Sequence, residues 1–497
     1  MFFIAIFFIS LILLIVSGLA FIFHKVGLTY IKVHIVLTFM PIIASILLLV
    51  FVRQETSVGP LSFNSLSIML SVFIFSIGFI IQKFSIRYLL GNKNYRKYFF
   101  LFTTITTFAS IAWLSDDLRS MLLFWGGTLL CLVSLIWLNK TWKVARSVAR
   151  TTFYIFLASW ISFLVATILL FIYTKSWAIS SIKSVDLPFS VKIIISLLMI
   201  FVVIIPAAQF PFQRWLIETA ATPTPVSAIM HAGIVNAGGI ILGKLSFIVA
   251  NEISMTILLI ISSLTVLIGS GISLVHVDYK RQLIGSTMSQ MGFMLIQCAL
   301  GAYLAAIIHL ILHGVFKATL FLQSGSALEH TKNPSNASVK YPYVLVTVGK
   351  VFSVLIAFIY WNVNQYSFYT LVSATVVYFS LSVAWKQLVA YGSGVIGRIL
   401  GFATMIFVCS IYILTHNFFA TVLYSNNFYE YHPSLLSLII TLVILLSGNI
   451  LNIWTMYKPN HPISYKLYIK VLELGEASES TIESHPSYLV DKRRDSL

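Results

Sequence analysis

The feature that most constrains this chain is a run of about twenty apolar residues that begins at Phe2 and recurs fifteen times along 497 residues, the last near residues 433–456. A run of that length crosses the hydrocarbon of a bilayer as a single helix. Mean hydropathy of +0.95, 59% hydrophobic and only 9% charged residues exclude a soluble globular protein. The expected fold class is an all-α polytopic membrane protein with about 15 transmembrane helices. No small-residue cleavage site follows the first run, so it is read as a retained span. Cys131, Cys298 and Cys409 lie inside apolar runs and have neither disulfide nor metal-ligand spacing.

The distribution of the +17 net charge says more than its size. Of the 32 Lys and Arg residues, 24 fall in one set of alternate connections and six in the other, with Lys317 and Lys350 inside spans. The positive-inside rule then places the N-terminus outside and the C-terminal tail in the cytoplasm of a bacterial cell membrane. Merging residues 189–243 into one crossing would flip every later loop and scramble that bias. The chain divides into N-terminal scaffold helices (1–97), a core (98–330), further transmembrane helices (331–456) and a cytoplasmic tail (457–497). The first three spans carry no interior ionisable group except His34, as expected of helices packed against lipid.

Chemistry concentrates in two stretches. In HLILHGVFK, His309, His313 and Lys317 recur every four residues, which puts them on one face of a helix over roughly 12 Å. A Lys at bilayer depth costs about 2.5–3.5 kcal/mol, so that face must meet protein or water. Upstream, Pro206, Pro211, Pro223 and Pro225 fall within 20 residues and predict a discontinuous element, which membranes tolerate only against protein or a wet cavity. Gln209, Arg214, Glu218, His231 and Asn236 cluster beside it; a surface ion pair between Arg214 and Glu218 is as good a reading as a functional one. Asp116 or Asp117 is placed to cap the fifth helix. Gly126 and Gly127 signal close helix packing. Lys143, Arg146 and Arg150 at helical spacing suggest headgroup contact. Ser286, Thr287, Ser289 and Gln290 are open to water or to neighbouring helices.

The stretches AQFPFQRWL, TPTPVSAIMHAG, STMSQMGFM and HLILHGVFKATLFLQSGS, in that order over roughly residues 60–330, resemble the antiporter-like membrane subunits of respiratory complex I, subunit 5 type. The large subunits of multi-subunit cation/proton antiporters share them. The resemblance implies two inverted five-helix repeats with broken helices and a proton relay of Lys, His and water, at positions matching His231, Lys280, His309, His313 and Lys317, with Gln209, Glu218, Asp116 and Lys350 as accessory candidates. Two positions depart from the pattern: the family's glutamate falls at Gly126, and the lysine before its SAQFP motif at Pro206. The missing pair resembles the two-component inorganic-carbon uptake branch. There the membrane subunit admits cations, most often protons, and a large soluble zinc-binding, carbonic-anhydrase-like subunit of the DabA type works at the cytoplasmic face. On that reading CO2 chemistry belongs to the partner, and this chain, which shows no zinc-ligand spacing, is a transporter subunit without a cofactor or metal of its own.

Overall fold

The computed structural model describes residues 1–477 apart from 24–26, 28, 53, 326–342, 364–367, 391–393 and 424–430. The expected tail is described only to residue 477, and the polar connection TKNPSNASVK lies outside the described residues. The helices are, in chain order, α1 (Phe2–Leu19), α2 (Tyr30–Phe51), α3 (Ser65–Tyr88), α4 (Tyr95–Leu114), α5 (Leu118–Trp137), α6 (Lys143–Thr174), α7 (Ile179–Ile182), α8 (Phe189–Ile204), α9 (Arg214–Glu218) and α10 (Thr224–Ala232). They continue with α11 (Ala237–Lys244), α12 (Ser246–Val249), α13 (Glu252–Val275), α14 (Tyr279–Ala299), α15 (Tyr303–Gln323), α16 (Tyr343–Val363), α17 (Phe368–Trp385), α18 (Gly394–Leu423), α19 (Leu435–Tyr457) and α20 (Pro462–Leu474). A short hairpin, β1 (Thr56–Val58) and β2 (Leu61–Phe63), is the one sheet among the described residues.

Thirteen helical segments are long and apolar enough to cross a membrane, α10 and α11 together forming one of them. Two more, the 16-residue α8 and the Ser/Gln-bearing α14, run between the same two ends, which gives about fifteen traverses. The ends identify themselves by contact. On one face the hairpin residue Leu61 bridges to Ser115 and Asp117 bridges to Ala178. Lys244 reaches the same place, with its Nζ donating to the carbonyls of Trp113 (2.5 Å) and Ser115 (2.9 Å). On the opposite, basic face Asn94 Nδ2 donates to Leu138 O at 2.6 Å, Tyr88 OH to Thr224 Oγ1 at 3.2 Å and Lys280 Nζ to Thr222 O at 3.0 Å. Residues 189–244 thus make two traverses, α8 towards the basic face and α10–α11 back from it. The five traverses from α4 and the five from α13 start from opposite faces, the sense of an inverted repeat.

Of the two candidates for the α5 cap, one takes that role. Asp117 caps α5, accepting from Arg119 N (2.8 Å) and Ser120 N (3.4 Å), and the Arg119 side chain beside it holds its carboxyl below the usual carboxylate range. Asp116 instead binds Ser180 through its backbone N (3.1 Å) and hydroxyl (2.6 Å) at the short α7. Lys143, Arg146 and Arg150 do belong to one helix, the 32-residue α6. His34 is buried and satisfied, with Nδ1 2.7 Å from Ser17 Oγ and Nε2 3.0 and 2.9 Å from Gln82 Oε1 and Thr103 Oγ1, so it pins α1–α4 together. The close pairing of α13 and α14 rests on glycine: a Cβ on Gly269 would stand 2.7 Å from Gly285 O, and one on Gly285 would stand 2.8 Å from Gly269 O.

Candidate functional site

The site is assembled from α10, α14 and α15. Four-residue spacing on α15 puts His309, His313, Lys317 and Phe321 on one face. Lys317, only 2% exposed, donates from Nζ to Leu283 O at 3.0 Å and to Ser286 Oγ, both on α14. The hydroxyl and carbonyl stabilise an ammonium that burial alone would expel. Above it His313 is buried and, among the described residues, neither ring nitrogen has a hydrogen-bond partner. His309, partly exposed, has its ring 6.1 Å from that of His313 and 5.7 Å from Phe293.

His231 enters from α10. Its ring stacks on Phe321 at 4.1 Å and 13°, it is fully buried, and neither nitrogen has a hydrogen-bond partner among the described residues. It lies within electrostatic range of Lys317 and Lys280, and His313 in turn lies within range of His231 and Lys317. Directly after His231 the helix gives way: Ile234–Asn236 form a 3-10 turn before α11 resumes, and Asn236 Nδ2 donates to Ala232 O at 2.6 Å. This is the discontinuity the prolines predict. Lys280, half-buried at the start of α14, marks the basic-face end of the line.

The five relay residues read from the sequence therefore converge. The accessory candidates do not join them. Glu218 is held by Arg214 (3.1 Å), four residues earlier on α9, and Gln209 binds Ala207 O at 2.7 Å in the turn before it. Asp116 sits on the hairpin face against Ser180, and Lys350 is exposed on α16. The Leu283 carbonyl, which with Ser286 holds Lys317, and Phe321, the platform for His231, were not singled out. No sequence signal pairs residues across helices, although the hydroxyl run at Ser286–Ser289 pointed to the right turn.

Each orphaned buried polar group costs about 1–3 kcal/mol. Two adjacent imidazoles with four unpartnered nitrogens are thus an unfavourable way to build a structural core, and a favourable way to line a water-filled path. A neutral imidazole takes a proton on one nitrogen and releases one from the other, and Lys317 is an exchangeable cation beside it.

Gly126 and Pro206, the two positions that depart from the sequence pattern, both lie beside tryptophans. A Cβ at Gly126 would collide with the indole of Trp160, whose Nε1 donates to Leu122 O at 3.1 Å. Beyond Pro206, the Ile205 carbonyl is taken by Trp215 Nε1 at 2.8 Å. One tryptophan thus packs against Gly126, and another satisfies the backbone carbonyl next to Pro206.

Fold and site together define a polytopic membrane protein of antiporter-like architecture, with a buried Lys–His line beside a broken helix. The chain belongs to the NADH:quinone oxidoreductase/Mrp antiporter transmembrane family, whose model matches residues 115–401. It is 47% identical to the probable inorganic carbon transporter subunit DabB of Bacillus anthracis over 97% of this chain and 96% of that one. It is also 31% identical to NADH-quinone oxidoreductase subunit L of Buchnera aphidicola over 55% of this chain and 46% of that one. Among solved structures it is similar to the Mrp complex from Dietzia, with TM-score 0.65 and 19% identity, covering all of this chain and 60% of the other, a likeness of fold.

Proposed function

We propose that this chain is the proton-conducting membrane subunit of an energy-coupled inorganic-carbon uptake system. It admits protons down their electrochemical gradient and passes that energy to a large soluble zinc-binding, carbonic-anhydrase-like subunit of the DabA type. The observation that carries the reading is the continuous line Lys280, His231, Lys317, His313, His309, with partnerless imidazoles at its centre. Near-full-length similarity to relatives named as inorganic carbon transporter subunits supports the choice of substrate. The absence of any carboxylate among the five relay residues favours protons over sodium, since hard cations take oxygen ligands. The excess of Lys and Arg on the basic face supports a cytoplasmic orientation for that face, where the partner would dock.

Deleting the gene should make growth poor in air and restore it at raised CO2; unchanged growth in both would remove the carbon role. In vesicles carrying the assembled complex, Lys317→Met should lower proton flux by roughly 10²–10⁴-fold, the usual contribution of a positioned proton-transfer group. A second reading, a module of a respiratory or multi-subunit antiporter complex, is favoured by the similarity to subunit L. Gentle extraction separates the two: several membrane subunits would accompany the chain in that case, one large soluble protein in the first.

A further inference from the structure

At its basic-face end the line opens into a polar pocket of about 450 Å3, whose lining includes Tyr88, Asn92, Asn139, Thr222 and Lys280. None of its lining residues is acidic. Lys280 spends one of its three donors on Thr222 O (3.0 Å), and among the described residues no carboxylate stands within salt-bridge distance of it. Asn92 and Asn139 add amides to the lining, while the hydroxyls of Tyr88 and Thr222 are engaged with Thr224 Oγ1 (3.2 Å) and Thr219 O (2.8 Å). Asn92 Oδ1 is occupied by the backbone N–H of Asn94 at 2.8 Å, which leaves its NH2 to the pocket. Tyr88 OH supports Thr224, the first residue of the nine-residue α10, whose positive helix end faces the same wall. Lys93 and Lys140 flank the rim in sequence.

A half-buried ammonium whose carboxylate neighbour Asp278 acts on it only from beyond salt-bridge distance, in a concave site with no acidic lining, concentrates anions. We propose that this pocket binds a small oxyanion of the bicarbonate or phosphate class, with Lys280 as counter-charge and the Asn92 and Asn139 amides as donors. A trigonal or tetrahedral oxyanion offers several acceptor oxygens to donors that converge from three chain segments, which a spherical halide does not. Of the two anions, phosphate exchanges a proton at oxygen near neutral pH, whereas the neutral-pH equilibrium of bicarbonate with CO2 breaks a bond to carbon. A phosphate bound beside Lys280 takes up a proton and hands it on with no bond to phosphorus changed. It thereby supplies from solution the carboxylate-like group that Gly126 denies the chain. That use rests on the conduction reading above; the binding does not.

The same chemistry is available from a free anion or from a lipid phosphate, and two arms separate them. The full chain, purified in detergent with whatever subunit accompanies it, is titrated with bicarbonate and with inorganic phosphate by calorimetry. Saturable binding is expected, weakened roughly tenfold or more in Lys280→Met and in Asn139→Leu and kept in Lys280→Arg. In nanodiscs of anionic against zwitterionic lipid, binding abolished by the anionic lipid alone would identify a headgroup as the occupant, with the oxyanion site upheld. No saturable binding to the folded protein in any arm, or undiminished binding by Lys280→Met, overturns the site. Binding that survives while proton flux in vesicles ignores saturating phosphate removes only the proton-exchange use.

Discussion

At the scale of single residues, two positions that break the family pattern are as informative as those that keep it. Gly126 is glycine because the Trp160 indole occupies the volume a side chain there would need. Gly126→Glu should therefore destabilise the protein by about 1–3 kcal/mol, the usual cost of overpacking, and restore no ion pair, since Pro206 offers no ammonium. Thermal unfolding in detergent checks this; a variant as stable as the parent, with raised proton flux, would refute it. The ladder residues behave differently. His309, His313 and Lys317 were legible from spacing alone, because a four-residue period fixes a helix face whatever surrounds it. The partners of Lys317 were not, because Ser286 and Leu283 lie about thirty residues away in sequence and meet it only through packing.

At the scale of elements, the break between α10 and α11 and the close approach of α13 to α14 set the geometry. The broken helix was readable from Pro223, Pro225 and the polar cluster around them, though it falls at Ile234–Asn236, eleven residues past Pro223. Proline interrupts a helix where it stands, while the site of a later break depends on which backbone groups find other partners. A second element-level device lies at the basic face. His276, between α13 and α14, is buried beneath α20, where a Cβ on Gly475 would strike its ring. Burial, reinforced by Arg281, holds its pKa below the ordinary value. A histidine depressed in the folded state is neutral there. Its contribution to docking α20 is full above about pH 6.5 and declines as pH falls through that value, where the undocked state takes the proton first. Hydrogen exchange of residues 462–474 should accordingly speed up between pH 7.5 and pH 5.5, and His276→Gln should flatten that dependence. Equal pH dependence in both proteins would count against it.

At the scale of the whole molecule, the two ends of the bundle are distinguished by contact and by charge together. The hairpin face gathers Leu61, Ser115, Asp117, Ala178 and Lys244; the basic face gathers Tyr88, Asn94, Leu138, Thr224 and Lys280. Both Lys93 and Ser181 are exposed, one on each side. In cells, cysteines introduced as Lys93→Cys and Ser181→Cys should react with a membrane-impermeant thiol reagent from opposite sides, Ser181→Cys from outside. Labelling of both from one side would overturn the orientation. Alternation of charge was enough to separate α8 from α10–α11 as two traverses, because a miscounted span inverts every later loop.

The sequence by itself determined the class of fold, the approximate number of crossings, the basic face and the row of titratable groups on α15. Each of these is a local or one-dimensional property: apolar length, helical period and charge per connection act within a segment, independent of its neighbours. Only the tertiary structure decided that His231 stacks on Phe321, that Lys317 is held by α14, and that Trp160 closes the position of Gly126. It also separated Asp116 and Lys350 from the line they might have joined. Those outcomes depend on which helix faces meet, and that is settled by packing between segments far apart in the chain, where period and composition carry no information.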